Sequence, residues 1–331
     1  MTIRRPIRAL RPAIGLLLLA GVALSWHLDW WSSRRDWRQA TGWTEIPAAE
    51  LPASEPRGSE LDPDSGQPRI EWLGHSGFVI RWLGRTVVID PNVNDWCTLS
   101  SRVLKVPSDL AAIGPVDAVL VSHPHFDHLD LPTLRRIGEV NGGLGSLIVP
   151  SGSEDYVDRP DLSAEAIVPL RAGDSVRVGP LEVIAVAAAH NGSRLHPFAS
   201  ERLALGYILR SAQFTLYYSG DTGGSAPFAA IRDAYHPQMA ILPIGAYLPR
   251  FPMKYYHLSP EEAVAAAAVL EVETVIPCHF GTYVLSLDRP SWALPRFARA
   301  AKARGVSWRM PRLLDYGAMA ASARTRTKGP A

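Results

Sequence analysis

The chain has 331 residues, 47% of them hydrophobic and 20% charged, with a net charge of +2. That composition is globular rather than disordered, and so small a net charge gives no electrostatic basis for nucleic acid as a partner. Only two cysteines occur, Cys97 and Cys278, which excludes a disulfide framework and a CxxC zinc site.

The amino terminus reads as a signal anchor. Arg4, Arg5, Arg8 and Arg11 precede an apolar stretch from Ala13 to Trp26, the order of a basic region followed by a hydrophobic one. The uncharged span Pro12 to Leu28 covers 17 residues, the lower limit for crossing a bilayer, and no small-x-small cleavage site follows. Five of the ten tryptophans (Trp26, Trp30, Trp31, Trp37, Trp43) cluster just after it, where indoles favour a membrane interface. Four basic residues before the span against Arg34, Arg35 and Arg38 after it place the catalytic part on the extracytoplasmic, periplasmic side. Residues 1–28 are thus expected to be the anchor and 29–68, rich in proline and lacking apolar periodicity, a linker or wrapping arm. Residues 69–316 are expected to form one domain, with 317–331 as a tail.

From Arg69 short apolar runs alternate with turns. Ile70–Leu73, Gly77–Leu83 and Thr86–Ile89 read as a strand meander. Further strands are predicted at Asp117–Ser122, Ser146–Val149, Val176–Ala188, Leu203–Leu209, Phe214–Ser219, Met239–Leu242 and Thr274–Ile276. Helices are predicted at Leu131–Ile137, Ala226–Ala234, Pro260–Leu270 and Trp292–Arg304. Pro260, Glu261 and Glu262 make a good helix start, with proline in the first turn and carboxylates at the positive end of the dipole. This order suggests an α/β fold of two mixed sheets packed face to face with helices outside.

Chemistry recurs where apolar runs end. Asp117–Ser122 ends in His123-Pro124-His125-Phe126-Asp127-His128, an HxHxDH pattern. In an extended chain His123 and His125 point to one side, and a turn then swings Asp127 and His128 towards the same place. Val183–Ala189 ends at His190, Phe214–Ser219 at Gly220-Asp221, and Val275–Cys278 at His279. These five histidines and two aspartates are donors suited to two borderline divalent ions. Two dications and two carboxylates leave a positive site that favours anionic groups. Water shared by such ions loses a proton near neutral pH and becomes the nucleophile, with Asp127 placed to orient it.

In that chain order the motifs resemble the metallo-β-lactamase superfamily over about residues 69–310. The resemblance implies an αββα sandwich in which His123, His125 and His190 hold one metal and Asp127, His128 and His279 the other. Asp221 would bridge them. Two zinc ions are expected, another divalent metal being admissible. Leu242-Pro243-Ile244-Gly245-Ala246-Tyr247, Pro249-Arg250, Met253-Lys254-Tyr255 and His257-Leu258-Ser259-Pro260-Glu261-Glu262-Ala263-Val264 narrow the match. Together with Trp72-Leu73-Gly74-His75 and His279-Phe280-Gly281-Thr282, they resemble the branch of phospholipase D enzymes that hydrolyse N-acyl-phosphatidylethanolamine. The implied reaction is cleavage of a phospholipid phosphodiester, with His257 near the metals, contacting phosphate or assisting protonation of the leaving group. The alternative for His257 is a residue that simply leads into the next helix. His75 is either a hydrogen-bond partner of a ligand or a satisfied core histidine. Tyr247, Phe251, Tyr255 and Tyr256 either line an approach for acyl chains or pack as ordinary loop aromatics. A lactonase or other carboxyl-ester hydrolase, and a nonhydrolytic mononuclear iron enzyme, are the rival functions. An anionic small molecule or phospholipid is the expected partner, with the membrane reached through the amino-terminal segment.

Overall fold

A computed structural model describes residues 66–104, 109–194, 203–310 and the backbone of 312–313. The predicted anchor, nearly all of the linker and the tail lie outside the described residues. Among the described residues no helix is long and apolar enough to cross a membrane.

The chain begins with three antiparallel strands, β1 (Arg69–Gly74), β2 (Gly77–Trp82) and β3 (Arg85–Ile89), followed by a small hairpin, β4 (Trp96–Cys97) and β5 (Ser100–Ser101). Next come β6 (Ala118–Leu120), helix α1 (Leu131–Asn141), β7 (Ser146–Pro150), the short helix α2 (Glu154–Val157) and β8 (Ala166–Leu170). Parallel pairing of β3, β6, β7 and β8 extends the first sheet. The second sheet opens with β9 (Ser175–Val178), β10 (Leu181–Ala187), β11 (Leu205–Arg210) and β12 (Thr215–Tyr218), all antiparallel neighbours. Helix α3 (Phe228–Tyr235), β13 (Met239–Pro243), the short helix α4 (Arg250–Met253), α5 (Pro260–Leu270), β14 (Thr274–Cys278) and α6 (Ala293–Arg304) follow. β13 and β14 add to β12 in parallel, and β15 (Arg312–Leu313) closes the first sheet beside β1. The result is a seven-stranded mixed sheet facing a six-stranded mixed sheet, the αββα sandwich expected from the motif order.

Strand periodicity decides which side chains meet. Phe78, Ile80, Val87, Ile89, Ala118 and Leu120 face the second sheet, where Phe78 packs edge to face on Tyr218 with ring centroids 6.2 Å apart. Their neighbours Val79, Val88, Val119 and Leu147 point the other way, onto Leu134 and Ile137 of α1. A one-residue slip in any of these strands would exchange the two layers.

The structure departs from the sequence expectation at two instructive points. The predicted run Val176–Ala188 is two strands, because Gly179 takes φ of 58° ahead of Pro180 and turns the chain into a hairpin. The strand expected to reach Ser122 ends at Leu120, and the Ser122 N–H is given to the Asp90 carboxylate at 2.7 Å instead of to a neighbouring strand. The HxHxDH residues therefore lie in a loop and turn, not on an extended strand. Helix α5 starts as its sequence suggests: Ser259 accepts from the Glu262 N–H while the Glu262 carboxylate accepts from the Ser259 N–H.

Strand direction fixes where chemistry can be built. β3 and β6 are parallel in the first sheet, while β10, β12 and β14 share one direction in the second. Asp90, the HxHxDH loop, His190, Asp221 and His279 follow the carboxyl ends of these strands and collect at one edge of the sandwich.

Candidate metal centre

Two sets of donors meet there. Nε2 of His123 lies 3.0 Å from Nδ1 of His125, which lies 3.3 Å from Nε2 of His190. Oδ2 of Asp127 lies 3.4 Å from Nε2 of His128 and 3.3 Å from Nε2 of His279. Between the sets, Asp221 Oδ2 is 3.0 Å from His279 and 3.2 Å from His128, against 3.9 Å from His123 and 4.0 Å from His190. Tetrahedral ligands about 2.0–2.1 Å from zinc are separated by about 3.3 Å, so these spacings fit convergence on common points. Nε2 of His128, Nε2 of His279 and Oδ1 of Asp221 are buried without a hydrogen-bond partner, which a bound cation would supply.

In three of these histidines the remaining imidazole nitrogen is held so that the converging one stays free. His190 Nδ1–H donates to the Tyr256 carbonyl at 3.0 Å, and His123 Nδ1 meets Ser122 Oγ at 2.9 Å. His128 Nδ1–H donates to Asp90 Oδ2 at 2.7 Å. Burial pushes His123 well below the ordinary histidine range and His190 down to about 4, keeping both in the neutral form that ligates metal. Burial also opposes charge on His279, but the Asp221 and Asp127 carboxylates outweigh it and carry its pKa up to about 9. Asp221 is held well below the carboxylate range because His128 and His279 overcome the penalty of its burial.

His75 and His257 stand close to the same donors. His75 Nε2 is 2.9 Å from Asp127 Oδ2, and its own backbone is fixed by three groups. The Trp72 indole N–H and the His279 N–H both donate to the His75 carbonyl, and the His75 N–H donates to Thr282 Oγ1. The separate Trp72–His75 and His279–Thr282 motifs thus form one structural unit, with Trp72 stacked on Phe280 at 5.3 Å. His257 is 8% exposed, its Nδ1 lies 3.8 Å from Asp221 Oδ2, and that nitrogen has no hydrogen-bond partner. Distance alone also admits His257 as a donor with His190 and Asp221, and His75 as one with Asp127, His128 and His279. Arg250 ties its own segment together: it pairs with Glu262 at 2.6 Å and donates to the Tyr247 and His257 carbonyls.

A cleft of about 360 Å³ opens over the donors and exposes His125, Asp127, Asp221, His257 and His279. The aromatic expectation needs correction here. Tyr247 is fully buried in the core with the Arg296 guanidinium over its ring, and it does not line the cleft. Tyr256 contributes its carbonyl to His190 and does not line the cleft either. Phe251 and Tyr255 project outwards, 73% and 50% exposed, on either side of Met253, which is the lining residue of that segment. Cys97 and Cys278 are buried free thiols. Asp90 and Arg194 are absent from the sequence expectations, and Met253 figures there only as part of the Met253-Lys254-Tyr255 motif. Asp90 could have been found by the rule that gave the donors, since it ends the run Val87-Val88-Ile89.

Gly245 shows how tightly this edge is built. A Cβ on it would stand 1.9 Å from the His279 carbonyl oxygen, so any side chain must displace a metal-facing histidine. Gly245→Ala is expected to lose about 1–3 kcal/mol of stability by overpacking and to bind less metal. Urea denaturation and metal analysis of the variant check both.

The fold and donor set define the class, a metal-dependent hydrolase with a His/Asp centre of the binuclear type. Residues 85–280 match the Beta-lactamase superfamily domain, and the chain belongs to that family. A Mycobacterium tuberculosis protein is 31% identical over 281 residues, 80% of this chain and 72% of that one. A metal-dependent hydrolase of Methanopyrus kandleri is 30% identical, covering 65% of this chain and 85% of its own length. The N-acyl-phosphatidylethanolamine-hydrolyzing phospholipase D 1 of Caenorhabditis elegans is 30% identical over 64% of this chain and 63% of its own. Among solved structures, the metallo hydrolase Igni18 of Ignicoccus hospitalis shares the fold with a TM-score of 0.56 at 20% identity, covering 74% of this chain and 95% of its own.

Proposed function

We propose that the protein hydrolyses a phosphodiester bond of N-acyl-phosphatidylethanolamine or a related phospholipid, held at a membrane by residues 1–28 with its catalytic domain on the extracytoplasmic side. The observation that carries this reading is the surface around the cleft. Phe126 lines the cleft and is 49% exposed; Trp96 and Leu99, 63% and 66% exposed, flank the lining residues Cys97 and Thr98; Phe251 and Tyr255 flank Met253. Exposed large apolar side chains on the segments that line a metal-binding cleft suit a substrate with an anionic linkage and apolar chains. The similarity to the worm phospholipase and the motif order from Leu242 to Val264 support the same choice.

Two zinc ions in the donor set would supply Lewis acidity at the phosphate and water acidic enough to attack near neutral pH. The protein side of the reaction follows from the geometry. Asp127, fixed by His75, is placed to accept a hydrogen bond from the attacking water and orient it towards phosphorus. Water adds to phosphorus, the bond to the ethanolamine oxygen breaks, and that oxygen takes up a proton, leaving phosphatidic acid and N-acylethanolamine. Burial holds His257 well below the usual histidine range, so it is neutral and offers one N–H to a phosphoryl oxygen rather than a stored proton. His257→Ala is accordingly expected to lower kcat by about 10- to 100-fold, as for removal of one hydrogen-bond donor to developing charge, without loss of bound metal. Steady-state kinetics with metal analysis test that pair of outcomes.

Zinc-loaded full-length protein incubated with vesicles of labelled N-acyl-phosphatidylethanolamine is expected to release phosphatidic acid. No release with two ions bound, together with turnover of acyl lactones, would replace this reading with a carboxyl-ester hydrolase. Alkaline extraction of membranes and protease accessibility in spheroplasts test the anchor and its orientation.

A further inference from the structure

We propose that Arg194 is a positioning residue for the metal centre, a clamp that fastens the HxHxDH loop to the segment carrying His190. The proposal rests on the reading of these residues as metal donors.

The loop has left the sheet after Val121, so strand pairing cannot fix it. Its internal bonds are those of a turn, from the His128 and Leu129 N–H groups to the His125 carbonyl at 3.1 and 2.8 Å. Outside groups hold its other carbonyls. Asn92 Nδ2 donates to the Phe126 carbonyl at 3.1 Å, while Arg194 donates through Nε to the Pro124 carbonyl and through Nη2 to that of Leu129. One guanidinium therefore spans both ends of the turn. It lies over the Phe126 ring at 4.1 Å, with the Tyr156 ring at 5.3 Å. A planar fork stacked on an aromatic face can make this contact, and a lysine ammonium cannot reproduce it.

Arg194 follows His190 by four residues, so the clamp sets the separation between His190 and the loop donor His125. The other loop donors have independent anchors: His128 is held by Asp90 and Asp127 by His75. The ring of His125 meets only His123 and His190 among the hydrogen-bonding contacts of the described residues. His123 is held by Ser122 and His190 by the Tyr256 carbonyl, so it is through His125 that the set His123, His125 and His190 depends on Arg194, whereas the set formed by Asp127, His128 and His279 has no such dependence.

The test uses the full chain carrying Arg194→Ala or Arg194→Lys. Zinc affinity of the two sites is measured by competition with a chromophoric chelator, alongside thermal melting and turnover of bis(p-nitrophenyl) phosphate. The expected result is a weakening of one zinc ion by about 10- to 100-fold in both variants, the range for groups that orient metal ligands, with the second ion unchanged. At subsaturating zinc, kcat should fall while KM stays within twofold, and millimolar guanidinium ion should restore zinc affinity to the alanine variant. Native affinity at both sites in either variant would overturn the proposal. So would a lysine variant equal to the parent, which would show that charge alone suffices, or equal weakening of both ions with a lowered melting temperature, which would show a general structural role. If the alanine variant does not fold, the lysine variant decides. Absence of zinc binding by the parent protein would instead overturn the metal reading itself, a separate result.

Discussion

Asp221→Ala should abolish turnover while leaving a folded protein. One oxygen of this carboxylate lies within 4.0 Å of nitrogens from five histidines, His279, His128, His257, His123 and His190, and its other oxygen has no partner. It thus touches both donor sets. If two ions occupy the donor sets as proposed, removing it would take away their shared ligand and the negative charge that lets two dications sit side by side. Loss of the several kcal/mol that a metal contributes to a charged transition state corresponds to at least about a thousandfold in kcat/KM. Asp221→Asn should fall between, because an amide oxygen can still ligate but carries no charge. Metal analysis and kcat/KM measured on the same samples decide the matter. Full turnover of Asp221→Ala with two ions bound would remove Asp221 from the centre and make Asp127 the sole carboxylate that organises it.

The donor set was legible in the sequence for a topological reason. Strands of shared direction end at one edge of the sandwich, so a polar donor after each apolar run is carried to a common place regardless of how the strands are ordered. Helix α5 was legible for a local reason, since Ser259, Pro260 and Glu262 specify its start without help from the rest of the fold. What escaped depended on contacts far apart in the chain or on segments too short to carry a pattern. β8 is an edge strand with only Leu170 buried, and β4, β5 and β15 have two residues each, so no alternation marks them. Tyr247 reads as a cleft aromatic when only its neighbours in sequence are known. Arg296 and the core decide its direction, and both come from elsewhere. Arg194 gave no signal at all, because its hydrogen bonds go to backbone carbonyls, which every residue possesses, and the rings it covers lie 68 and 38 residues away in the chain.

Asp90→Ala should damage fold and metal centre together, and the contrast with Asp221 follows from hydrogen bonding. Asp90 is fully buried, and its two oxygens accept from four donors. The Ser122 N–H meets Oδ1 at 2.7 Å, while Oδ2 receives Ser122 Oγ at 2.5 Å, the Tyr218 hydroxyl at 2.5 Å and His128 Nδ1–H at 2.7 Å. Those donors come from three separate places, the exit of β6, the metal loop and β12 of the opposite sheet, so this carboxylate ties the two layers together beneath the metal-facing edge. Alanine leaves all four facing a cavity. Breaking a buried charged network by removing one partner costs about 3–5 kcal/mol, a large part of the total stability of an ordinary domain. His128 also loses the bond that fixes its tautomer and orientation, which should weaken the ion held with Asp127 and His279 by about 10- to 100-fold. Tyr218→Phe removes one donor and leaves the carboxylate three, so it should cost only about 1 kcal/mol and spare the metal. Urea denaturation of the two variants, with zinc competition on each, separates these effects. A parental midpoint and parental zinc affinity in Asp90→Ala would mean that Ser122 and the loop backbone orient His128 on their own.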